Sequence, residues 1–244
     1  MNEYNYKNQY PYGGAPASQN AISLSEQVSK IMRGVYLKMF FALLVTALTA
    51  YGMMLILPEV TSFIATHRWV YWGLLIGEIG LVMAISGGIN KFSVTTCSLL
   101  FYLYAIVNGA VFSVILGIFD PISVVKTFLL TAGTFGAMSV YGYTTHRDLS
   151  KIGSILTMAL FGLIICLVVN IFWYNSVFDI IVSFLGVIIF IGLTAWDTQK
   201  IKRIAEANPY ATDGRLATIG ALTLYLDFIN LFLYLLRIFG SSRN

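Results

Sequence analysis

The chain has 244 residues, of which 58% are hydrophobic and 11% charged, and its mean hydropathy is +0.79. Soluble domains carry about a quarter charged residues, so this composition excludes a soluble globular protein and predicts one whose surface faces lipid. The basic residues behind the net charge of +4 lie in short loops, where such residues set membrane topology. We therefore expect no nucleic-acid partner.

The amino-terminal segment differs from the rest of the chain. Residues 1–34 are rich in Asn, Tyr, Gln, Gly and Pro and show no long apolar run, which predicts a disordered tail. An amphipathic stretch at residues 25–33 is expected to lie at the membrane surface. The tail is not a signal peptide, because the first apolar run begins only near Val35 and has no small-residue cleavage pattern after a basic start.

From residue 35 onward, apolar runs of about 20 residues, the length needed to cross a bilayer core of about 30 Å, alternate with polar breaks. We therefore predict an all-α membrane protein in which residues 35–244 form seven transmembrane helices. Their predicted ranges are 35–57, 69–89, 94–118, 122–144, 152–174, 177–197 and 217–240. The third and fourth runs also fit a single hairpin, which would leave six spans and a re-entrant segment.

The lysines and arginines predict the orientation of these helices, because basic loops stay in the cytoplasm. With seven spans, eleven of the 15 fall on the amino-terminal side and four on the other. We therefore expect a cytoplasmic amino terminus and an external carboxyl terminus. Residues 240–244 carry no retention signal, which favours the cell (inner or plasma) membrane over the endoplasmic reticulum.

Three acidic residues stand out within the predicted spans: Glu78, Asp197 and Asp227. An ionised carboxylate at mid-helix costs at least about 2.5–3.5 kcal/mol, so such residues hold protons or cations. No lysine or arginine lies at a comparable depth in the sequence. Asp197 and Asp227 can meet only if the sixth helix continues through residues 200–207, a stretch free of Gly and Pro. Two carboxylates would make a weak Ca²⁺ site, which suits passage of the ion.

Each acid also has a simpler interpretation. Asp197 alone fits an interfacial residue that sets topology. A protonated Glu78 fits a hydrogen bond to another helix. Asn230, one helical turn after Asp227, lies on the same face and is predicted to orient that carboxylate.

Two segments carry a resemblance to a known family. They are Leu224-Tyr225-Leu226-Asp227-Phe228-Ile229-Asn230-Leu231-Phe232, continuing into Leu235-Leu236-Arg237, and Asp197-Thr198-Gln199-Lys200-Ile201. Together with Glu78 between two glycines, they resemble the Bax inhibitor (transmembrane Bax inhibitor motif) family, in its bacterial members, over about residues 30–240.

The resemblance implies a fold of six helices around a central seventh, and a hydrogen-bonded pair, Asp197 and Asp227, that controls a pH-sensitive calcium leak. Bacterial relatives place an Arg near the cytoplasmic end of the second helix, where it pairs with the two aspartates. Here that region reads Ser86-Gly87-Gly88-Ile89-Asn90-Lys91. Lys91 is the nearest basic substitute, but it lacks the bidentate geometry of Arg.

The leading hypothesis is therefore a calcium (cation) leak channel that is gated by protonation, with Ca²⁺ as the transported ion and no cofactor. Its partners would be the lipid bilayer and calcium ions. The alternative is a regulatory protein that binds a membrane protease or channel, with the acids serving as structural polar groups. An intramembrane aspartyl protease is disfavoured because the Gly-x-Gly-Asp and Pro-Ala-Leu motifs are absent, so we expect no enzyme.

Overall fold

The computed structural model describes the backbone of residues 17–88, 91–173, 175–207 and 214–242, and side chains from Leu24 onward. Within these ranges the chain forms eight helices. They are α1 Ala17–Ile56, α2 Pro58–Thr66, α3 Arg68–Gly88, α4 Val94–Ile118, α5 Pro121–Thr144, α6 Ser150–Phe172, α7 Ser176–Ala207 and α8 Arg215–Phe239.

Seven of these helices, all except α2, are long and apolar enough to cross a membrane. The predicted count of seven is confirmed, and the third and fourth predicted runs are separate helices. The predicted break at Pro58 forms the short helix α2. Pro58 lies in the first turn of α2, where the N–H that proline lacks would have no partner within the helix.

The helix α8 lies at the centre of the bundle. In the most apolar 18-residue stretch of α8, 72% of the residues are buried inside the protein. The next highest buried share, 44%, belongs to α4. It packs against α1, α4, α5 and α7, and the fully buried side chains of Leu224, Tyr225 and Leu231 lie on it. The predicted arrangement of six helices around a central seventh is therefore confirmed.

The amino-terminal boundary differs from the prediction. We predicted a tail reaching to residue 34, whereas α1 continues back to Ala17; residues 1–16 lie outside the described residues. The cause is a stripe of apolar residues at spacings of four, three and four, which is buried in the core and holds the helix together. The stripe consists of Val28, Met32, Val35 and Met39.

We call the end of the bundle where α1 begins, α7 ends and α8 begins the basic end. At the opposite end α8 ends, and the Asp120 N–H of the α4–α5 loop donates to the Ser241 carbonyl there at 2.9 Å. The long helix α7 extends to Ala207, as its predicted continuation through residues 200–207 required. That extension places Asp197 within the bundle.

Candidate functional site

The structure brings the carboxyl groups of Asp197 and Asp227 within hydrogen-bonding distance of each other. Asp197 lies ten residues before the end of α7 and Asp227 twelve residues after the start of α8. Because the two helices run in opposite directions, both residues lie about 15–18 Å from the basic end. Both side chains are buried, with 7% and 5% of their surface exposed.

A hydrogen bond between these two groups requires a proton on one of them, because an ionised carboxylate only accepts. Oδ2 of Asp227 is fully buried, and no N–H or O–H group within the described part of the chain donates to it. A proton shared with Asp197 is therefore the donor available to it. The two carboxyl groups can therefore hold one proton between them.

Close helix packing holds the pair in place. A Cβ atom on Gly142 of α5 would collide with the carbonyl of Ala195, two residues before Asp197, so only glycine permits this approach of α5 to α7. On α8, the ring of Phe228 packs edge-on against Phe135 of α5, with ring centroids 5.5 Å apart. The pair thus lies within a compact group of α5, α7 and α8.

The residues that follow Asp197 each make a distinct contact. Thr198 hydrogen-bonds Ser139 of α5 at 3.0 Å. Gln199 binds the α5–α6 loop, accepting from the Leu149 N–H and donating to the Arg147 carbonyl. Lys200 stacks on the Trp196 ring at 4.8 Å and interacts electrostatically with Asp197. Among the described residues, Lys200 is thus a basic residue that acts on Asp197.

Glu78 occupies a second buried polar cluster. Its Oε1 accepts from Asn108 Nδ2 at 2.8 Å, and Asn108 Oδ1 accepts from the Tyr225 hydroxyl at 3.0 Å. That hydroxyl also bonds Thr46 at 2.6 Å, so the cluster links α1, α3, α4 and α8. Tyr225 precedes Asp227 by two residues, about 200° around the helix, so α8 carries the two polar groups on opposite faces.

The supporting residues lie elsewhere than expected. Asn230 donates to the Leu226 carbonyl of its own helix at 2.8 Å, and the described contacts include no bond from it to Asp227. Lys91 is exposed in the turn after α3, with no described contact to either aspartate. Lys38 is half-buried and donates to Ser98 and Thr218, tying α1 to α4 and α8.

A third polar group lies toward the opposite end of the bundle. Asp179, in the first turn of α7, accepts from Asn170 at 2.9 Å and lies 3.5 Å from Nη1 of Arg237. These contacts join the ends of α6, α7 and α8. Arg237 is therefore paired far from the buried aspartates.

A comparison with known families decides the identity. A family model described as inhibitor of apoptosis-promoting Bax1 matches residues 28–244. The chain belongs to the Bax inhibitor family. Both aspartates, Glu78 and the Tyr225 network lie within the matched residues.

Several Bax inhibitor relatives match nearly the whole chain. Inner membrane protein YbhL of Escherichia coli strain K12 is 42% identical over 232 residues, covering 93% of this chain and 98% of YbhL. A protein of Borreliella burgdorferi is 43% identical over 218 residues, 88% of this chain and 94% of its own length. A membrane protein of Streptococcus pyogenes serotype M3 is 34% identical, covering 92% and 96%. With its seven apolar helices, this Bax inhibitor protein is a multi-pass membrane protein.

Sequence reasoning missed several residues around the aspartates of this Bax inhibitor protein. The hydroxyl groups of Tyr36, Ser139 and Thr198 form a hydrogen-bonded chain from α1 through α5 to α7. Hydroxyl side chains are common in spanning helices and cost little there, so they carry no sequence signal comparable to a mid-span acid.

Proposed function

We propose that this Bax inhibitor protein is a pH-sensitive Ca²⁺ (cation) leak channel gated by protonation of Asp197 and Asp227. The observation that carries the proposal is the contact of two buried carboxyl groups, to which Lys200 is the one charged neighbour in electrostatic contact among the described residues. Such a pair is stable while it holds one proton and unstable when it holds none.

The direction of the pH response follows from this charge balance. At acid pH the shared proton joins α7 to α8 and closes the path. As the pH rises the proton leaves, and two negative charges about 4 Å apart repel by about 4 kcal/mol at an effective dielectric constant of 20. The helices then separate, so Ca²⁺ flux increases from acid to neutral pH.

The freed carboxylates are also the groups that a passing cation needs. Ca²⁺ binds six to eight oxygen ligands, and two carboxylates with waters supply only part of that set. Binding is consequently weak, and weak binding favours release on the other side.

The test is Ca²⁺ uptake into proteoliposomes across a series of pH values. The wild-type protein is expected to show flux that rises with pH. Asp227→Asn supplies an amide donor to Asp197 without a titrating proton, so it keeps the path closed. Its flux at neutral pH falls at least about tenfold and loses its pH dependence, since the lost repulsion exceeds the 1.4 kcal/mol of a tenfold change. A wild-type pH profile in Asp227→Asn would end the proposal.

Two controls separate the pair from other titrating groups. Glu206→Gln removes an exposed carboxylate from the same helix, and it should leave the profile intact. The double variant His67→Gln and His146→Gln removes both histidines, the residue type that most often senses pH near neutrality. A profile that disappears in the histidine variant would transfer the pH sensor away from the aspartates.

The alternative, a regulatory protein without conduction, rests on Glu78. Its carboxyl group accepts a hydrogen bond from Asn108, which is the contact expected of an intramembrane acid that serves as a structural polar group. No Ca²⁺ flux from the purified protein, combined with stable capture of another membrane protein, would favour this alternative. Cleavage of a transmembrane peptide by the purified protein would instead indicate a protease.

For location, we propose the cell (inner or plasma) membrane, with the basic end of the bundle in the cytoplasm. Its support is the excess of lysines and arginines on that side and the similarity to the inner membrane protein YbhL.

A further inference from the structure

A crevice of about 510 Å³ lies between α1 and α5 near the basic end. Its walls are mainly apolar and include Met32, Phe135 and Val140. Gly136 faces the open space of the crevice, because a Cβ atom built there meets no other atom within 4 Å. A volume of this size falls in the range of small-molecule sites, about 300–1,000 Å³.

The mouth of the α1–α5 crevice lies at the depth of the lipid headgroups. Arg33 precedes Val35, where the first apolar run begins, and Tyr143 is the next-to-last residue of α5. Both residues line the crevice. The site therefore opens sideways to the bilayer, with its polar rim at the interface and its apolar walls beside the acyl chains.

The rim offers donors suited to phosphate. Arg33 is exposed, and no described carboxylate pairs with it. Ser29, four residues earlier on the same face of α1, adds a hydroxyl group. Lys202 donates to the Tyr143 carbonyl at 3.0 Å, and its charge is offset by Glu206 at 3.8 Å. Arg33 is thus the available cation, with a planar fork that matches phosphate oxygens.

We propose that the α1–α5 crevice binds one anionic glycerophospholipid. Its phosphate lies on Arg33 and Ser29, and an acyl chain lies against Met32, Phe135 and Val140. Basic pockets between spanning helices are a known way of holding anionic headgroups. An apolar crevice open to the bilayer is filled by an acyl chain, since water requires polar partners.

The floor of the crevice connects this lipid to the aspartates. Tyr36 and Ser139 both line it and are hydrogen-bonded at 2.6 Å. Ser139 in turn bonds Thr198, the residue after Asp197. A lipid that sets the separation of α1 and α5 therefore acts on the helix that carries Asp197. The binding itself does not depend on ion conduction.

The test is native mass spectrometry of the purified protein with phosphatidylglycerol and phosphatidylcholine of matched chains. The wild-type protein is expected to retain one phosphatidylglycerol in preference to phosphatidylcholine. Arg33→Gln should weaken that retention by about fivefold, the effect of one basic residue near an anionic surface. Arg147→Gln removes the same charge from an exposed loop at the same end and should change nothing.

A second pair of variants tests the apolar half. Gly136→Leu fills the crevice and should abolish retention although Arg33 is intact, while Gly133→Leu places the same side chain in open space outside it. Thermal unfolding confirms that each variant is folded. Equal retention of the two lipids, full retention in Arg33→Gln or Gly136→Leu, or competition by soluble glycerol 3-phosphate would each overturn the proposal.

Discussion

The carboxyl group of Asp227 lies in the middle of a buried helix, and the polar group that faces it is another acid. Two ionised carboxylates in this position would repel strongly, so the contact with Asp197 is favourable only while a proton is present. Glu78 differs, because Asn108 donates to it. At the scale of single residues, the proposed proton switch therefore rests on Asp197 and Asp227 and not on Glu78.

An acid outside the spans provides a contrasting case. The backbone N–H of Ser150 donates to Asp148 at 2.9 Å and Arg203 lies 2.7 Å from it, and these contacts lower its pKa from 3.8 to about 2. The lowered pKa contributes stability that is fully present above the unfolded pKa of 3.8, and this contribution is lost as the pH falls from there through the folded pKa of about 2. Asp148 stays ionised between about pH 5 and 8. Asp148→Asn should leave the pH profile of Ca²⁺ flux unchanged, and an altered profile would show that the loop takes part in gating.

The residues of the pair could be recognised from the sequence because a mid-span acid is costly and therefore conspicuous. The contact between the two residues depends on the length of α7. The apolar run in the sequence ends at residue 197, whereas the helix continues to Ala207. The role of Asn230 was not predictable in this way, since a side chain on the correct face can still bond its own backbone.

At the scale of helices, glycines decide which faces approach. Gly142 lets α5 contact the α7 backbone at Ala195, and Gly153 lets α6 accept the Trp196 ring. The sequence did not distinguish these glycines from Gly133, which faces open space. The apolar stripe of α1 was similarly hidden, because the polar residues between Val28 and Val35 reduce the mean hydropathy of that stretch.

Exchange of one glycine tests this packing. Gly142→Ala forces α5 away from Ala195 and should destabilise the fold by about 1–3 kcal/mol, the cost of overpacking. Gly133→Ala, on the same helix, should be neutral or stabilising by up to about 1 kcal/mol through helix propensity. Thermal unfolding of the detergent-solubilised protein measures both effects. Equal midpoints for the two variants would contradict the close approach of α5 and α7.

At the scale of the whole molecule, an odd number of spans places the two ends of the described chain on opposite sides of the membrane. The count was predictable because seven apolar runs are separated by clear breaks. The central position of α8 could be expected only from the family resemblance, because the most apolar stretch of α8 is less apolar than those of α4, α6 and α7.

Labelling of introduced cysteines tests the orientation. In a background with Cys97 and Cys166 replaced by alanine, Glu206→Cys and Ser242→Cys place one thiol at each end of the bundle. A membrane-impermeant maleimide applied to intact cells should label residue 242, and residue 206 only after lysis. The reverse pattern would show the basic end to be external.

The most direct test of the proton switch is infrared spectroscopy of the protein in bilayers as the pH is changed. We predict a protonated-carboxyl band at acid pH that disappears over the same pH range in which Ca²⁺ flux rises. The band should change in both Asp197→Asn and Asp227→Asn and persist in Glu206→Gln. If no such band exists, or if it survives both aspartate substitutions unchanged, the two carboxyl groups do not share the proton on which gating depends.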